Sequence, residues 1–361
     1  MFYDPNRFIR HGAMPMRVQK TLTGQNGVQS LDDQAHRHRK QMFLSLLSPD
    51  KINGLIDLAT AQWHRSAKQW QNMEKVILFN EMEEILCRVV CKWADIRITN
   101  DRELKKRTRD FSTMIDGSGG FGPRYWRARI GRIRTEKWLS HQIMQVRAGK
   151  IEASQQSALQ VVSLFCDIDK TEPSARVAAV ELINILRPTI AVARYITFAA
   201  VALHQFPQYK EKIQDKKDKF IEFFVHEVRR FYPFFPFIIA RVREEFEWKG
   251  YRFPKGMNVI LDFYGTNHDP RIWKNPEIFN PQRFATWDKS AFNFIPQGGG
   301  NHEINHRCPG EWVTIGLMKA TVNFLVNSID YRVPQQNLQI NHSRIPAIPK
   351  SRFIMSCVKL R

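Results

Sequence analysis

The sequence predicts a mainly α-helical protein with small β-sheets. Three features indicate this fold class. Several long segments repeat apolar residues with the 3.6-residue period of a helix. Residues 174–206 are apolar on nearly every side, which is typical of a helix that the rest of the protein encloses. Short alternating segments, which are typical of strands, are confined to the second half of the chain.

The first half of the chain is predicted to be irregular at its start and helical afterwards. Residues 1–34 carry glycine and proline throughout, which favours turns, with one short helical turn over Phe2–Phe8. A helix begins at Asp33 and stops at Ser48-Pro49. Further helices are predicted over Leu55–Trp70, over Val76–Trp93, from Lys105 and over Arg124–Arg147. In the last of these, arginines alternate with apolar residues, which predicts an amphipathic surface helix; the apolar positions are Trp126, Ile130, Ile133, Trp138 and Ile143.

The apolar helix over residues 174–206 contains the pair Arg187-Pro188. A proline inside a helix is expected to kink it and to free a carbonyl group. Arg187 would be a cation in an apolar interior, where an uncompensated charge costs several kcal/mol. Glu172 and Glu181 are too far along the helix to neutralise it. The carboxylate of a ligand would meet this need, and so would an acidic residue brought near by the fold.

A further helix is predicted over Phe220–Arg230, and it contains Glu227 three residues before Arg230. Such a pair is usually a weak surface ion pair, but the surrounding phenylalanines imply burial. The proline-rich segment 232–237 is unsuited to a helix and is expected to bring Phe234, Phe235 and Phe237 towards a ligand. Residues 247–260 are predicted to form a hairpin and 276–293 an irregular meander. Short strands at 331–333, 338–340 and 353–358 close the chain.

The segment Phe294–Trp312 joins an apolar start, three glycines, a polar loop and Cys308. Proline is favoured at the first position of a helix, so Pro309 predicts that Cys308 lies at or just before a helix start. The helix dipole there is expected to stabilise a thiolate, which is a nucleophile or a metal ligand. The glycine run, which lets the backbone approach a flat group, favours a ligand, as does the lack of a C-x-x-C zinc pattern. The alternative is a buried, inert cysteine.

Three motifs resemble those of one enzyme family. The haem-binding loop of cytochrome P-450 enzymes resembles the segment Phe294…Gly298…Arg307-Cys308-Pro309-Gly310. The insert in this loop, Pro296-Gln-Gly-Gly-Gly-Asn-His, is similar to that of the bacterial fatty-acid peroxygenase branch of the superfamily. The Glu-x-x-Arg pair of this superfamily resembles Glu227-Val-Arg-Arg230. A third residue joins this pair in the superfamily, and the segment that supplies it resembles Phe279-Asn-Pro-Gln-Arg283-Phe, with Arg283 as that residue. The resemblance implies the cytochrome P-450 fold in a single haem-thiolate domain over residues 1–361. The N-terminal sheet segment of relatives is expected to be missing.

The resemblance also implies a cofactor, haem b, with Cys308 as the ligand of its iron. His36 and Lys40 lie one turn apart on a helix and would bind the haem propionates, with Arg10 reaching from the preceding loop. The alternative for this helix is a solvated basic face. Oxygen-using relatives carry an acid and a threonine where this chain has Arg187-Pro188. The resemblance therefore implies that no reductase, flavin or NAD(P)H partner is required.

In this branch Arg187 would bind the carboxylate of a long-chain fatty acid, which then serves as the general acid–base for hydrogen peroxide. Oxidation would fall on the carbon next to the carboxyl group, and possibly on the following one. Gln29 stands where histidine marks decarboxylating members, and it predicts hydroxylation. Thr23 stands where relatives usually carry a large aromatic residue, so a looser pocket is expected. The residues expected around the alkyl tail are Leu22, Thr23, Ile115, Phe234 and Phe237.

Two other functions remain open from the sequence. A fatty-acid hydroperoxide isomerase or dehydratase of the allene-oxide type also lacks the acid–threonine pair and lengthens the cysteine loop. Such an enzyme acts on a substrate that carries its own oxygen, so it needs no carboxylate near the iron, and Arg187 argues against it. The other possibility is a non-catalytic haem-binding protein, which would take up haem without peroxide-dependent turnover.

Composition limits the possible partners. The 361 residues include 55 Lys and Arg and 35 Asp and Glu, a net charge of +20. Such a charge is found in proteins that bind nucleic acid or anionic membranes. Here the basic residues are spread along the chain and mixed with acidic ones, so a solvated surface is favoured and no nucleic-acid partner is expected. No long uncharged apolar run predicts a membrane span. Five irregularly spaced cysteines and the lack of a secretory signal predict a cytoplasmic protein.

Overall fold

The structure, a computed structural model, describes residues 1–214 and 218–361. It confirms the mainly α-helical fold class with small antiparallel sheets. The α-helices are α1 Met16–Val18, α2 Asp33–Leu46, α3 Pro49–Trp70, α4 Leu78–Trp93, α5 Asp101–Asp116, α6 Gly122–Arg147, α7 Ala158–Ser163, α8 Ala175–Gln205, α9 Gln208–Gln214, α10 Asp218–Phe231, α11 Phe263–Asn267 and α12 Glu311–Asn327. The strands are β1 Phe8–Ile9, β2 Val76–Ile77, β3 Phe237–Val242, β4 Phe246–Trp248, β5 Tyr251–Phe253, β6 Asn258–Asp262, β7 Ile329–Arg332 and β8 Ile354–Leu360.

The strands form two three-stranded sheets and one hairpin. Their orders are β1-β3-β6 and β2-β8-β7, and β4 pairs with β5 within the segment predicted as a hairpin. Strand β3 was not predicted, because it begins directly after Pro236, where the prolines conceal the alternating pattern of the following residues. The helical turn predicted over Phe2–Phe8 is wrong at its end, since Phe8 pairs with Val242 of β3. The N-terminal segment is therefore held against the second half of the chain.

Helix α8 lies at the centre of the main hydrophobic core. Ser174 caps its first turn by accepting a hydrogen bond from the backbone N–H of Val177. It packs against α4, α6 and α12, and the helix continues through Pro188. By length and composition α8 could cross a membrane, a candidate that the sequence analysis did not identify. However, 94% of its most apolar window is buried inside the protein. Its apolar surface is thus used for packing.

Helix α6 differs from the amphipathic surface helix that the sequence predicts. Three of the apolar residues expected to face the core are exposed: Trp126 by 60%, Ile130 by 49% and Ile133 by 48%. Arg132, by contrast, is fully buried, where its Nε lies 2.6 Å from Glu136 and its Nη1 donates to the carbonyl oxygen of Leu22 at 2.8 Å. The buried face of this half of α6 is therefore partly ionic, and an apolar stripe faces outwards.

Helix α10 is tied to the irregular segment 276–293 by one buried carboxylate. Glu227 accepts a hydrogen bond from Nε of Arg230 at 2.7 Å and lies 3.2 Å from Nε of Arg283. It also accepts the backbone N–H of Asn280 at 2.7 Å. The two guanidinium groups use their remaining N–H groups on backbone carbonyls, among them that of Asn267 at 2.9 Å. This network fixes the segment that leads into the cysteine loop.

We expect Glu227→Gln to destabilise the protein strongly. The change leaves two guanidinium groups near one another without their carboxylate, and breaking a buried pair in this way costs about 3–5 kcal/mol. The free energy of unfolding in urea measures the loss. Glu245→Gln is the matched control, because it breaks the surface pair with Arg252, whose side chains are 73% and 49% exposed (Arg252 and Glu245). The control should change stability by less than about 1 kcal/mol. Equal effects of the two variants would contradict a structural role for Glu227.

Candidate active site

The backbone of the cysteine loop requires its glycines. Gly298 and Gly300 have φ angles of +94° and +79°, in the left-handed region that other residues rarely adopt. A Cβ atom on Gly300 would also lie 2.6 Å from the side-chain oxygen of Asn305. The hydroxyl of Tyr3 accepts a hydrogen bond from the backbone N–H of Gly299 at 2.7 Å. The N-terminal segment thus helps to hold the loop, a contact that the sequence does not reveal.

Cys308 lies before the start of α12. That helix begins at Glu311 with Gly310 at its N-cap, so the prediction that Pro309 is the first helical residue is wrong by two positions. The prediction of a stabilised thiolate is also wrong for the protein alone. Burial raises the pKa of the Cys308 thiol and the Glu311 carboxylate raises it further, although the backbone N–H of Gly310 and the amide of Gln297 lower it. A bound metal ion would reverse this, because it deprotonates a coordinating thiol.

The side chain of Gln297 is oriented towards the Cys308 sulfur. Its Nε2 lies 3.6 Å from Sγ and donates to Oγ1 of Thr314 at 3.1 Å, while its Oε1 accepts a hydrogen bond from Arg229 at 3.0 Å. Arginine can only donate, so it requires the oxygen of the amide and leaves the NH₂ group facing the sulfur. Arg229 therefore fixes which end of Gln297 meets Cys308.

Glu311 and two arginines surround the same loop. The Glu311 carboxylate lies 2.5 Å from Nη2 of Arg229 and 2.7 Å from Nε of Arg307. Burial alone would favour its neutral form, but the two guanidinium groups outweigh this and lower the pKa of Glu311. Sequence reasoning assigned no role to Arg229, Gln297 or Glu311. The one available signal was the position of Arg229 beside Arg230, which places a second cation on a helix with many aromatic residues.

The structure brings together the three side chains that were expected to bind propionates, Arg10, His36 and Lys40. Arg10 lies over the ring of Phe2, 4.4 Å from its centroid, and its Nη1 donates to the carbonyl oxygen of Ile239 at 3.0 Å. His36 stacks on His306 of the cysteine loop, with ring centroids 3.7 Å apart. Burial and these neighbouring rings and cations lower the pKa of His36 to about 3.

Lys40 is the third of these side chains. Its ammonium donates to the backbone carbonyl of Arg307 at 2.9 Å and also to that of Asn305. Burial lowers the pKa of Lys40 to about 8, and the thiolate form of Cys308 counteracts this. His36 and Lys40 are therefore in contact with the loop that carries the cysteine, a link that the sequence did not predict.

These residues fit a haem group. Hydrogen-bond donors surround the Cys308 sulfur, although a neutral thiol is only a weak acceptor. Such donors are typical of the surroundings of a metal-bound thiolate. Across residues 1–214 and 218–361, no group of three or more His, Cys, Asp and Glu is arranged to hold a metal ion by itself. Cys308 would thus hold the iron of haem b as its single protein ligand. Arg10 and Lys40 would supply the positive charge that two propionates need, and the neutral ring of His36 would donate a hydrogen bond.

Arg187 lies on the face of α8 that also carries Asn184 and Pro188. This face is the least covered part of the middle of the helix, since Pro188 is half-buried between fully buried neighbours. Within the described part of the chain, no carboxylate is within ion-pair distance of Arg187, and its Nε has no hydrogen-bond partner. Burial and the Arg132 guanidinium lower the pKa of Arg187 to about 9, so it remains a cation at neutral pH.

A chain of polar side chains leads to Arg187 from the interior. Asn184 lies at its centre, where its Oδ1 accepts a hydrogen bond from Nη2 of Arg187 at 3.4 Å. Its Nδ2 donates to Oε1 of Gln29 at 3.0 Å and to Oε2 of Glu181 at 3.1 Å. Glu181 is neutralised by Arg39, 3.1 Å away. The structure therefore joins Gln29 and Arg187 through Asn184, a residue to which the sequence analysis gave no role.

The residues expected around the alkyl tail lie in different surroundings. Leu22 and Thr23 belong to a helical turn, Gln19–Thr23, that packs on α5 and α6. Gly24, with φ +84°, follows this turn, and a Cβ there would lie 2.1 Å from Arg132. Ile115 is buried at the end of α5. Phe234 packs against Tyr195 of α8 with ring centroids 5.0 Å apart, whereas Phe237 is 43% exposed at the start of β3.

The family model and the curated proteins each match only a part of the chain. The model for cytochrome P-450 matches residues 210–350. Ferruginol synthase from Isodon rubescens is 29% identical over 141 residues, which cover 37% of this chain and 28% of that protein. Rhazimal synthase from Alstonia scholaris is 29% identical over 158 residues, 38% of this chain and 30% of that protein. The match therefore spans less than a third of these relatives.

Solved structures match almost the whole chain. A variant of cytochrome P450SP alpha (CYP152B1) is 44% identical with a TM-score of 0.97, covering 99% of this chain and 88% of its own. Cytochrome P450EX alpha (CYP152N1) with myristic acid is 40% identical, with a TM-score of 0.96 and coverage of 100% and 86%. A variant of the OleT cytochrome P-450 in complex with arachidonic acid is 34% identical, with a TM-score of 0.96 and the same coverage.

The helical fold, the cysteine loop and the buried Glu227 network define a haem-thiolate oxidoreductase. The chain belongs to the cytochrome P-450 family. Its close similarity to the CYP152 proteins over nearly its full length confirms the branch that the sequence motifs indicated, that of the fatty-acid peroxygenases. The family implies a haem cofactor, as expected.

We expect Gln297→Leu to lower the reduction potential of the haem-loaded protein. The amide N–H withdraws charge from the sulfur, so its loss leaves a more electron-rich thiolate, which favours the oxidised iron. Spectroelectrochemical titration measures the potential, and the ferrous–carbon monoxide spectrum reports whether the thiolate is retained. Gln282→Leu makes the same change at an exposed position and should leave the potential unaltered. An unchanged potential in the Gln297 variant would show that its contact with the sulfur has no electronic effect.

Proposed function

We propose that this protein hydroxylates long-chain fatty acids with hydrogen peroxide, at the carbons next to the carboxyl group. The observation that supports the proposal is the buried cation of Arg187, which has no carboxylate partner in the described residues. A buried unpaired charge is costly, so this position favours an anionic ligand. A fatty acid supplies one carboxylate and otherwise apolar surface, which suits a cation on an apolar helix.

The related structures support the substrate class. Cytochrome P450EX alpha was solved with myristic acid and the OleT protein with arachidonic acid. Both are long-chain carboxylic acids, and both proteins match this chain along its full length. These ligands belong to those proteins; they support fatty acids as the ligand of this chain because the fold is shared and Arg187 offers the required charge.

Arg187 would bind the substrate carboxylate through its guanidinium N–H groups, and Asn184 would hold the guanidinium in place. The bound haem supplies the oxidising chemistry of a thiolate-ligated iron. The cleavage of peroxide needs a general acid–base, and in our proposal the substrate carboxylate is that group. It takes a proton from peroxide at one oxygen and returns it to the departing oxygen. Because the carboxylate is fixed beside the reacting centre, the carbons nearest to it are those exposed to oxidation.

The proposed reaction needs no electron donor. Hydrogen peroxide carries both the oxygen atom and the two oxidising equivalents, so a flavin, NAD(P)H or a reductase has no step to perform. This agrees with the absence of an acidic residue beside Arg187-Pro188, where oxygen-using relatives deliver protons. The thiolate of Cys308 and the side chains of Arg10, His36 and Lys40 would hold the haem.

Gln29 would influence which product forms. Its Oε1 accepts a hydrogen bond from Asn184, which also contacts Arg187. A neutral amide at this position does not exchange protons, unlike the histidine of decarboxylating relatives, so it supports hydroxylation as the outcome. Thr23 is smaller than the aromatic residue usual in the branch, and it would leave the position of the tail less restricted.

We expect Arg187→Ala to abolish peroxide-dependent hydroxylation of myristate. The variant loses the cation that fixes the carboxylate, and with it the proton-transfer group, so kcat/KM should fall by at least about a thousandfold. Product analysis by mass spectrometry measures turnover. Arg187→Lys keeps the charge without the planar fork and should retain a part of the activity. The ferrous–carbon monoxide spectrum should remain that of a haem thiolate in both variants, whereas Cys308→Ala should lose it.

The same assay separates the alternatives. Turnover of a lipid hydroperoxide but not of myristate with peroxide would identify a hydroperoxide isomerase or dehydratase. Full haem loading with no turnover of either substrate would identify a non-catalytic haem protein. Retained myristate hydroxylation in Arg187→Ala would refute the role of the arginine. It would not contradict the proposal that the substrate is a fatty acid.

A further inference from the structure

The turn Gln19–Thr23 is held in place by guanidinium groups of α6. It is a single π-helical turn, a rare form that is frequent at functional sites. Nη1 of Arg132 donates a hydrogen bond to the carbonyl oxygen of Leu22 at 2.8 Å, and Nη1 of Arg129 donates to that of Lys20 at 3.2 Å. Two side chains of one helix, three residues apart, thus bind the backbone of the turn.

The end of the turn packs closely against Arg132. Gly24 follows the turn with a φ angle of +84°, in the left-handed region that other residues rarely adopt. A Cβ atom there would overlap the Arg132 guanidinium and would lie 2.5 Å from Cγ1 of Val180 on α8. The backbone after the turn is therefore enclosed between α6 and α8, and the position of the guanidinium limits where that backbone can lie.

Arg132 shares its carboxylate with a second arginine. Its Nε lies 2.6 Å from one oxygen of Glu136, while the other oxygen accepts a hydrogen bond from Nε of Arg176 at 3.1 Å. Arg132 is fully buried, and its Nη2 has no hydrogen-bond partner within the described part of the chain. Of the two arginines, it is Arg132 that also donates to the turn, at the Leu22 carbonyl. This contact distinguishes it from an arginine that only neutralises Glu136.

The Arg132 guanidinium also lies near the expected carboxylate site. It is one of the charges that lower the pKa of Arg187. Beyond the turn, the chain is fixed at a second point, where Glu181 accepts the backbone N–H of Val28 at 2.8 Å. The segment between these two anchors thus has one end beside the expected alkyl tail and the other beside Gln29.

We propose that Arg132 is a positioning residue that determines which carbon of the fatty acid is oxidised, an inference that rests on the proposed function. It acts through the Leu22 carbonyl, which holds the turn that carries Leu22 and Thr23 beside the alkyl tail. Arg187 fixes the carboxylate, and the turn limits the path of the tail. Neighbouring carbons of an alkyl chain lie little more than one bond length apart, so a small displacement of the turn changes which of them is exposed to oxidation.

The experiment compares Arg132→Met with Arg176→Met in the haem-loaded protein. Both changes remove one guanidinium from Glu136, but only Arg132→Met releases the Leu22 carbonyl. With myristate and hydrogen peroxide, the ratio of α-hydroxylated to β-hydroxylated product should change by at least about threefold in Arg132→Met and by less than about 1.5-fold in Arg176→Met. Mass spectrometry measures this ratio, which does not depend on the amount of folded enzyme. An unchanged ratio in Arg132→Met, or equal changes in both variants, would overturn the proposal.

Hydrogen exchange tests the anchor without turnover. In the haem-loaded protein without fatty acid, the backbone amides of residues 19–25 should exchange at least about tenfold faster in Arg132→Met and less than about twofold faster in Arg176→Met. Gly24→Ala should have an effect similar to that of Arg132→Met, because its Cβ displaces the guanidinium. Arg132→Lys keeps a donor and the charge, so it should restore a part of the protection and of the product ratio.

The two measurements separate the possible failures. Unchanged exchange in Arg132→Met would overturn the anchor. Faster exchange with an unchanged product ratio would show that the turn is anchored but does not position the tail. A wild-type protein that hydroxylates no fatty acid would refute the proposed function and with it the positioning role, while the exchange rates would still decide whether Arg132 holds the turn.

Discussion

The buried guanidinium of Arg187 is the constraint on which the site depends. It lies on a helix enclosed by the hydrophobic core, and its contact in the protein is the neutral amide of Asn184. A neutral oxygen compensates a cation far less than a carboxylate does, so the interior retains an uncompensated positive charge. A ligand that brings a negative charge would remove that cost.

The opposite side of the site has the complementary requirement. Donors converge on the Cys308 sulfur, yet burial keeps the free thiol protonated in their presence. An anion at this position requires a cation that the chain does not contain, just as the cation on α8 requires an anion. The described part of the chain is thus electrostatically incomplete at these two positions. In our proposal, the cofactor completes one of them and the substrate the other.

The sequence revealed the residues whose roles depend on local pattern. The glycine run before Cys308, the Glu227–Arg230 spacing and Arg187-Pro188 inside an apolar helix are all visible within a few residues. Arg229, Gln297 and Tyr3 were missed, since their contacts join segments up to 296 residues apart. Helix α6 shows the limit of periodicity. The period locates the apolar stripe correctly, but it does not say that Arg132 would be buried against Glu136 and Leu22, which turns the stripe outwards.

A buried carboxylate is present on the same helix, at Glu181, six residues before Arg187. Glu181 is buried, and its two oxygens are taken by Arg39, by the backbone N–H of Val28 and by Asn184. Arg39 is held in turn by Asp167, 2.6 Å away. Burial raises the pKa of Glu181, while Arg39 and these donors favour its charged form. The interior thus contains enough negative charge for Arg187 but commits it to another cation. Asn184 separates the two, so that the charge of Arg187 stays available to a ligand.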